Sequence, residues 1–482
     1  LEPCGLSKNL AKNLIALERI FGQRMFGIYA ANSTRRNHIQ LWCYLNSTFI
    51  GIKMKNQLSL LALLCASTSV YASDAPKNVI YMIGDGMGPA YTTAYRYFKD
   101  DPTTKQIETT VFDTILAGMA RTYPDDHTYV TDSAAGATAL SSGHKSYNGA
   151  IAVDTDKKPV KTMLEIAKER GMTTALVATS QINHATPASF ATHNESRRNY
   201  DAIANEYIDN KIAGKLPVDL MLGGGTQYFI REDRNLVDEF KAAGYQYSDD
   251  IKSLGQITQV PSLGLYAPMG LPFALDANSN HLTQLTAKAF DLLDGQNEDG
   301  FFVMIEGSQI DWCGHANDVA CAMAEMDDFA QSIKKAKAYI DKNPDTLLVV
   351  TADHSTGGLT LGAHGQYKWD TEVIKGVKAT AVELTKQLLA ADDLEPIWRA
   401  NTGIEYTPAN KVKLEQAKKM GETALNLAIK SIISDASFTG WTTGGHTAVD
   451  VQVFAYGKGS EHFNGAQNNT DIADKLIGFI KQ

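Results

Sequence analysis

Asn78-Val-Ile-Tyr-Met-Ile83 is a short apolar run, rich in β-branched side chains, that stops at Gly84-Asp85-Gly86-Met87-Gly88. A run of this length, bounded by turn residues and without polar alternation, suits a strand buried on both faces of a sheet. Three more have the same form: Thr174-Ala-Leu-Val-Ala-Thr179, Phe301-Phe-Val-Met-Ile305 and Leu347-Leu-Val-Val-Thr351. Helical patterns at Thr162 to Arg170 and Gln331 to Asp341 lead into two of them. This alternation predicts an α/β fold, a three-layer sandwich in which helices flank a largely parallel central sheet. Val449-Asp-Val-Gln-Val-Phe-Ala455 predicts a final strand that returns to the core. From about residue 364 to 438 the pattern changes. Two charge-rich helical stretches, Val377 to Ala391 and Lys411 to Ser434, are split by Pro396, Gly403 and Pro408. This segment is expected to be a helical and irregular insertion packed over one edge of the sheet.

Each strand signal ends at a potential ligand. Ile83 leads to Asp85, Thr179 to His184-Ala185-Thr186, Ile305 to Glu306, and Thr351 to Asp353-His354. Open parallel sheets bind ligands outside the carboxyl ends of their strands, so these residues are expected on one rim. A single Asp at a strand end is usually a cap or a turn residue; four such ends, two of them with histidine, argue for a site. Asp311 and His315, four apart, share one face of a helical turn and present a carboxylate and an imidazole, a pair that suits Zn²⁺. His446, flanked by glycine just before the last strand, is a further candidate.

Thr131-Asp-Ser-Ala-Ala-Gly-Ala-Thr-Ala139 places Ser133 where a β-rich run, Thr128-Tyr129-Val130, gives way to a small-residue helix. Unpaired N–H groups and the helix dipole at such a junction bind phosphoryl oxygens. The Gly-x-Ser-x-Gly elbow that hands a serine proton to a histidine is absent, so the hydroxyl needs another activator. Two cations that clamp the entering and leaving oxygens of an in-line displacement would supply it. In His193-Asn194-Glu195-Ser196-Arg197-Arg198, either arginine could hold the non-bridging phosphoryl oxygens with its guanidinium fork.

The 482 residues carry a net charge of −9, unevenly spread. Residues 1–72 hold eight Lys+Arg against two Asp+Glu, which leaves −15 on the remaining 410. An acidic body of this kind argues against a nucleic-acid reader or an anionic-membrane partner. Met54-Lys55-Asn56-Gln57, the apolar run Leu58 to Ala66 and the small residues of Val70-Tyr71-Ala72 form a secretory signal peptide at 54–72, expected to be cleaved after Ala72. The apolar run is too short to span a bilayer. The protein is therefore expected in the periplasm or secreted, and residues 1–53, upstream of this start, are expected to be a mis-called upstream extension, the alternative being a genuine disordered or helical one. Of five cysteines only Cys313 and Cys321 lie beyond the leader. A spacing of eight on a continuous helix is too long for a disulfide, so pairing requires a turn within Gly314 to Asp318.

Taken together, Asp85-Gly86-Met87-Gly88, Thr131-Asp132-Ser133-Ala134-Ala135, His184-Ala185-Thr186-Pro187, Glu306-Gly307 through Asp311 to His315, Thr351-Ala352-Asp353-His354 and Gly445-His446-Thr447 resemble the alkaline phosphatases. Order and spacing match from about Ala75 to the C-terminus. The resemblance implies a metal-dependent phosphomonoesterase that releases alcohol and inorganic phosphate from small phosphate monoesters through a phosphoserine on Ser133. It implies one zinc ion on Asp311, His315 and His446, and a second on Asp85, Asp353, His354 and Ser133. A magnesium ion would sit on Asp85, His184, Thr186 and Glu306. Arg197, thirteen residues after His184, would be the phosphate-binding arginine. The family is typically homodimeric, and residues 364–438 resemble its crown-like part. His184 and Trp312 stand where the best-known enterobacterial branch has Asp and Lys, a combination similar to marine bacterial relatives. A histidine there also opens the third site to Zn²⁺ or Co²⁺.

A phosphodiesterase or sulfatase on the same sheet is the competing enzyme class. Sulfatases need a Cys/Ser-x-Pro-x-Arg context, absent around Ser133, and diesterase relatives usually use threonine and lack the Thr186 and Glu306 set. A non-enzymatic zinc-binding protein would be expected to have lost a ligand, and none is missing. His127, His144, His281, His364 and His462 fit no such pattern, and Gly223-Gly224-Gly225 reads as a tight turn because no Gly-Lys-Ser/Thr follows. Trp441 is expected to border the site.

Overall fold

Apolar side chains on both faces of a strand need a cover on each side, and the fold supplies it. The computed structural model describes residues 75–482; the extension at 1–53 and the leader at 54–72 lie outside the described residues. The strands are β1 (Asn78–Gly84), β2 (Leu116–Arg121), β3 (Thr173–Gln181), β4 (Leu220–Gly224), β5 (Gln246–Ser248), β6 (Ser262–Leu265), β7 (Phe301–Gly307), β8 (Thr346–Thr351), β9 (Ser355–Thr356), β10 (Thr360–Leu361), β11 (Thr439–Gly440), β12 (His446–Thr447), β13 (Val451–Gly457) and β14 (Gly465–Asn468). Ten of them form one sheet in the order β14-β2-β13-β8-β1-β7-β3-β4-β6-β5. Every pairing is parallel except those of β13, which runs against β8 and β2. Helices His281–Leu293 and Val319–Ile340 pack on its central strands, as do Met163–Glu169 and Ala185–Ala191. With every residue of β3, β7 and β8 buried, this is the three-layer sandwich.

The four strands read from sequence are all present, and β8, β1, β7 and β3 are consecutive in the sheet. Their parallel direction brings their carboxyl ends to one rim. The helix at Thr162 to Arg170 forms as Met163–Glu169, where Thr162 and Glu165 make a reciprocal capping box. Gln331 to Asp341 is the second half of the 22-residue helix Val319–Ile340.

Several expectations need correction. Thr128-Tyr129-Val130 is a loop, not a strand: Asp126 accepts the Thr128 N–H and hydroxyl, and Tyr129 adopts φ 62°. Such an Asp-centred turn competes locally with extended structure. Gly223 and Gly224 belong to β4, and only Gly225, at φ 114°, turns. A Cβ on Gly223 would lie 2.8 Å from Ile182 Cδ1, so glycine there permits close packing within the strand. The insertion holds five helices, Thr371–Gly376, Ala381–Ala390, Glu395–Thr402, Pro408–Met420 and Glu422–Ser437. Pro396 and Pro408 sit in first turns, where the missing N–H costs nothing, and Gly421 at φ 103° breaks the second stretch in two. Among the described residues, the insertion's main contacts outside itself are to helices Pro89–Lys99 and Val319–Ile340, not to the edge strands β5 and β14.

Cys313 and Cys321 are joined, with Cα atoms 5.5 Å apart. Helix Gln309–Ala316 ends there, Asn317 at φ 54° reverses the chain, and Asp318 caps the next helix. The turn that the spacing demanded is thus present. Among the described residues, no helix is long and apolar enough to cross a membrane.

Candidate active site

Each central strand hands one or two polar residues to the rim. Asp85 follows β1, Glu306 is the penultimate residue of β7, His184 precedes helix Ala185–Ala191 after β3, and Asp353 and His354 follow β8. Asp311 and His315 come from the helix that starts two residues after β7. His446 arrives on β12, which pairs with β9 so that His446 lies opposite Thr356. The expected ligands converge into three sets: Asp311, His315 and His446; Asp85, Asp353 and His354; Asp85, His184 and Glu306. Within each set one donor atom per residue lies within 4.8 Å of the others. Thr186, on the first turn of its helix and fully buried, sits two residues after His184. His127, His144, His281, His364 and His462 join none of these sets.

The donor chemistry fits cations. Nδ1 of His315 faces Gly444 O at 2.6 Å, and Nδ1 of His446 faces Thr131 O at 2.8 Å. A carbonyl can only accept, so both Nδ1 atoms carry hydrogen and, in the neutral rings, both Nε2 atoms are lone pairs. Those two Nε2 atoms point at each other 3.0 Å apart, with Asp311 Oδ2 3.3 Å from the first. Two lone pairs and a carboxylate meet without repulsion when a positive ion lies among them, and second-shell carbonyls of this kind orient metal-binding imidazoles. In the second set, Asp85, Asp353 and His354 have no exposed surface. Asp85 Oδ2 and Asp353 Oδ2 are buried without a hydrogen-bond partner, an expensive state unless an ion or a water supplies one.

Burial and the neighbouring carboxylates of Asp353, Asp311 and Glu306 push the Asp85 carboxyl well above its ordinary range. Burial likewise raises Glu306 to about 7. Asp311 goes the other way: although burial opposes it, His315, His354 and His446 hold its carboxyl well below the usual range. Burial, reinforced by the Arg197 charge, depresses His184 to about 3, and burial with His354 beside it depresses His446 to about 4. Both imidazoles are therefore neutral donors at working pH. A hydrogen bond to Asp311 raises His315 to about 9.

Ser133 is the first residue of helix Ser133–Ser142 and is 1% exposed. The small residues of that helix let it lie against the end of β8: a Cβ on Gly136 would be 3.1 Å from Asp353 Cβ. Ser133 Oγ is 3.1 Å from His354 Nε2 and 3.5 Å from Asp85 Oδ1. Arg197 Nη1 donates to Asp132 Oδ2 at 3.0 Å and Nη2 to His184 Nε2 at 3.2 Å, while Arg198 is exposed. The choice between the two arginines is thus a matter of direction. Trp312 meets the His184 ring edge-on at 6.0 Å, and Trp441 packs on Gly357, next to Thr356.

Two residues escaped the sequence reading. Asp132 caps the Ser133 helix through Ala135 N–H and holds Arg197 with its other oxygen. Its signal was its place directly before the helix, where Asp is a preferred cap. Thr356 Oγ1 donates to Asp311 Oδ1 at 2.5 Å and meets His354 Nδ1 at 3.2 Å, tying two of the sets together. Nothing in its local sequence marks it.

Comparison with known proteins agrees with this arrangement. The alkaline phosphatase family model matches residues 76–481. Alkaline phosphatase 3 of Bacillus subtilis is 49% identical over 411 residues, covering 84% of this chain and 89% of that protein. The cold-active alkaline phosphatase of a psychrophilic Shewanella superposes with a TM-score of 0.81 at 50% identity, over 84% of this chain and all of that one. The enzyme from the Antarctic bacterium TAB5 gives 0.64 at 31% identity, over 84% and 98%. Rim chemistry, sheet order and relatives agree, and the chain belongs to the alkaline phosphatase family of metal-dependent phosphomonoesterases.

Proposed function

We propose that the protein hydrolyses small phosphate monoesters through a phosphoserine on Ser133. The carrying observation is what surrounds His354 Nε2. In a Ser-His-Asp triad the serine and the carboxylate bind opposite nitrogens of the ring. Here Ser133 Oγ, Asp85 Oδ1 and Asp353 Oδ2 all lie within 3.5 Å of the same Nε2, and Nδ1 faces a threonine hydroxyl. A nitrogen, a hydroxyl and two carboxylates turned to one point form a donor set, not a proton relay.

Asp311, His315 and His446 would hold one zinc ion; Asp85, Asp353 and His354, with Ser133, a second; Asp85, His184, Thr186 and Glu306 a magnesium-type cation. Bound there, divalent cations supply Lewis acidity and neutralise charge on the entering and leaving oxygens. Ser133 Oγ loses its proton and forms the bond to phosphorus as the bond to the alcohol oxygen breaks. Water then displaces Ser133 and leaves inorganic phosphate. Arg197 is poised to bind two non-bridging oxygens through its fork, and the N–H groups at the head of the Ser133 helix add dipolar support. Asp132 keeps the guanidinium oriented before substrate arrives, since a cation on His184 would take the single lone pair that here accepts from Arg197.

The leader at 54–72 and the Cys313–Cys321 link both suit an oxidising compartment, so we assign the protein to the periplasm or the medium. A homodimer built with the 364–438 insertion is the expected assembly. The test is turnover of a chromogenic monoester and its diester, with and without chelator. Ser133→Ala is expected to lower monoester kcat by about 10³-fold or more. Near wild-type turnover by that variant would refute the nucleophile, and faster diester than monoester hydrolysis would favour the phosphodiesterase reading.

A further inference from the structure

Between the Ser133 helix and the segment carrying Arg197 runs a third piece of chain, residues 148–152, bonded to both. Toward Arg197, Gly149 O accepts the Arg197 N–H at 2.8 Å, and Ile151 and Asn194 exchange both backbone bonds. Toward the helix, Thr138 Oγ1 donates to Ala150 O and accepts from Ala152 N–H, each at 2.9 Å. Asn148 comes nearest the reacting groups. Its Oδ1 accepts the Asp132 N–H at 2.6 Å, and its Nδ2 donates to Val130 O at 3.0 Å. Turning the amide over would set two N–H groups against each other, so the backbone imposes this orientation. Gly149 N–H then donates to Asp132 Oδ1 at 3.0 Å, while Asp132 Oδ2 takes Arg197 Nη1.

Asp132 is thereby held at its main chain and its carboxylate by two consecutive residues. It is also the residue that joins the nucleophile, by a peptide bond, to the guanidinium, by a charged hydrogen bond. We propose that Asn148 is a positioning residue: with Gly149 it braces Asp132, and so sets where the Arg197 fork stands relative to Ser133 Oγ. The inference rests on the assignment of Ser133 and Arg197 made above, and it goes beyond that assignment because Asn148 is in none of the donor sets and its amide bonds to the main chain of Asp132 and Val130.

The experiment measures kcat, KM and the inhibition constant of inorganic phosphate for the metal-loaded enzyme. Asn148→Ala is expected to raise KM and the phosphate inhibition constant about tenfold, the worth of one well-placed hydrogen bond. In an Arg197→Ala background the same change is expected to have less than about a twofold effect, because the brace then has no fork to orient. If the alanine protein does not fold, Asn148→Ser, whose hydroxyl is too short to reach the Asp132 N–H, carries the same comparison. Equal fold-changes in both backgrounds would overturn the brace. If Arg197→Ala alone left phosphate inhibition unchanged, the assignment of Arg197 would fail first, and the brace with it.

Discussion

Stripping the cations should make the protein's stability depend on pH, and Glu306 supplies a share that one substitution isolates. Burial raises its carboxyl to about 7 from an ordinary 4.5. The folded-state value lies above the unfolded one, so the unfolded chain ionises first. Each pH unit between 4.5 and 7 then costs the folded state about 1.4 kcal/mol, and the penalty is complete above pH 7. From pH 5.0 to 8.5 this amounts to about 2–3 kcal/mol. With an unfolding entropy near 2.1 cal/mol/K per residue, some 400 residues give about 0.9 kcal/mol/K, so the penalty lowers Tm by about 3 °C. Asp311 and Asp353, held below the carboxylate range, have gained nearly all their stabilisation by pH 5 and add little to the slope. Asp85, raised like Glu306, acts in the same sense, and the raised His315 and His354 lose stabilisation as pH climbs, whereas His184 and His446, depressed to about 3 and 4, strain the fold at pH 5 and cease to do so as pH rises through 6.5. Scanning calorimetry of chelator-treated protein at the two pH values should therefore isolate the Glu306 share as the difference between the Tm shifts of wild type and Glu306→Gln. From pH 5.0 to 8.5 the wild-type shift should be about 3 °C more negative than that of Glu306→Gln. An identical shift in both proteins would refute the account, because it would mean that the Glu306 carboxyl carries no strain once the cations are gone.

Two further outcomes follow from packing and from the disulfide. Gly136→Val places branched carbon where a Cβ alone would lie 3.1 Å from Asp353 Cβ; overpacking of this kind should cost about 1–3 kcal/mol by denaturant unfolding and depress kcat by shifting Ser133. A surface-like change of under about 0.5 kcal/mol would contradict the close approach of that helix to the end of β8. Replacing both Cys313 and Cys321 by alanine should cost about 2–3 kcal/mol, the closure entropy of a loop of this size, and reductant should destabilise wild type alone. Equal sensitivity of both proteins to reductant would show that the link contributes nothing.

The parts of the fold that could be read from sequence were those whose burial is symmetric. β1, β3, β7 and β8 are apolar on both faces because helices cover both, and their runs are unambiguous. β2, Leu-Ala-Gly-Met-Ala-Arg, has no β-branched residue and leaves Leu116 and Arg121 exposed, so pairing with β13 and β14 is what makes it a strand. At Gly223 and Gly224 glycine was mistaken for a turn because the reason for it, the nearness of Ile182 and of Met269 O, is tertiary. In the site, residues that must be ligands announced themselves by type and by position at strand ends. Asp132, Asn148 and Thr356 did not, because they act on other side chains and their chemistry is ordinary until the fold brings a partner within 3 Å.

The ten-stranded sheet ends in β5 and β14, three and four residues long and of composition Gln-Tyr-Ser and Gly-Ala-Gln-Asn. A foreign strand meeting either margin would find at most four residues to pair with, and few apolar side chains to shelter beside. So short a template blunts the edge-to-edge growth by which large sheets coalesce into aggregates. Among the described residues, these margins offer two associating copies little strand to pair with, and the rim bearing Ser133 lies at the strands' carboxyl ends, away from that pairing direction.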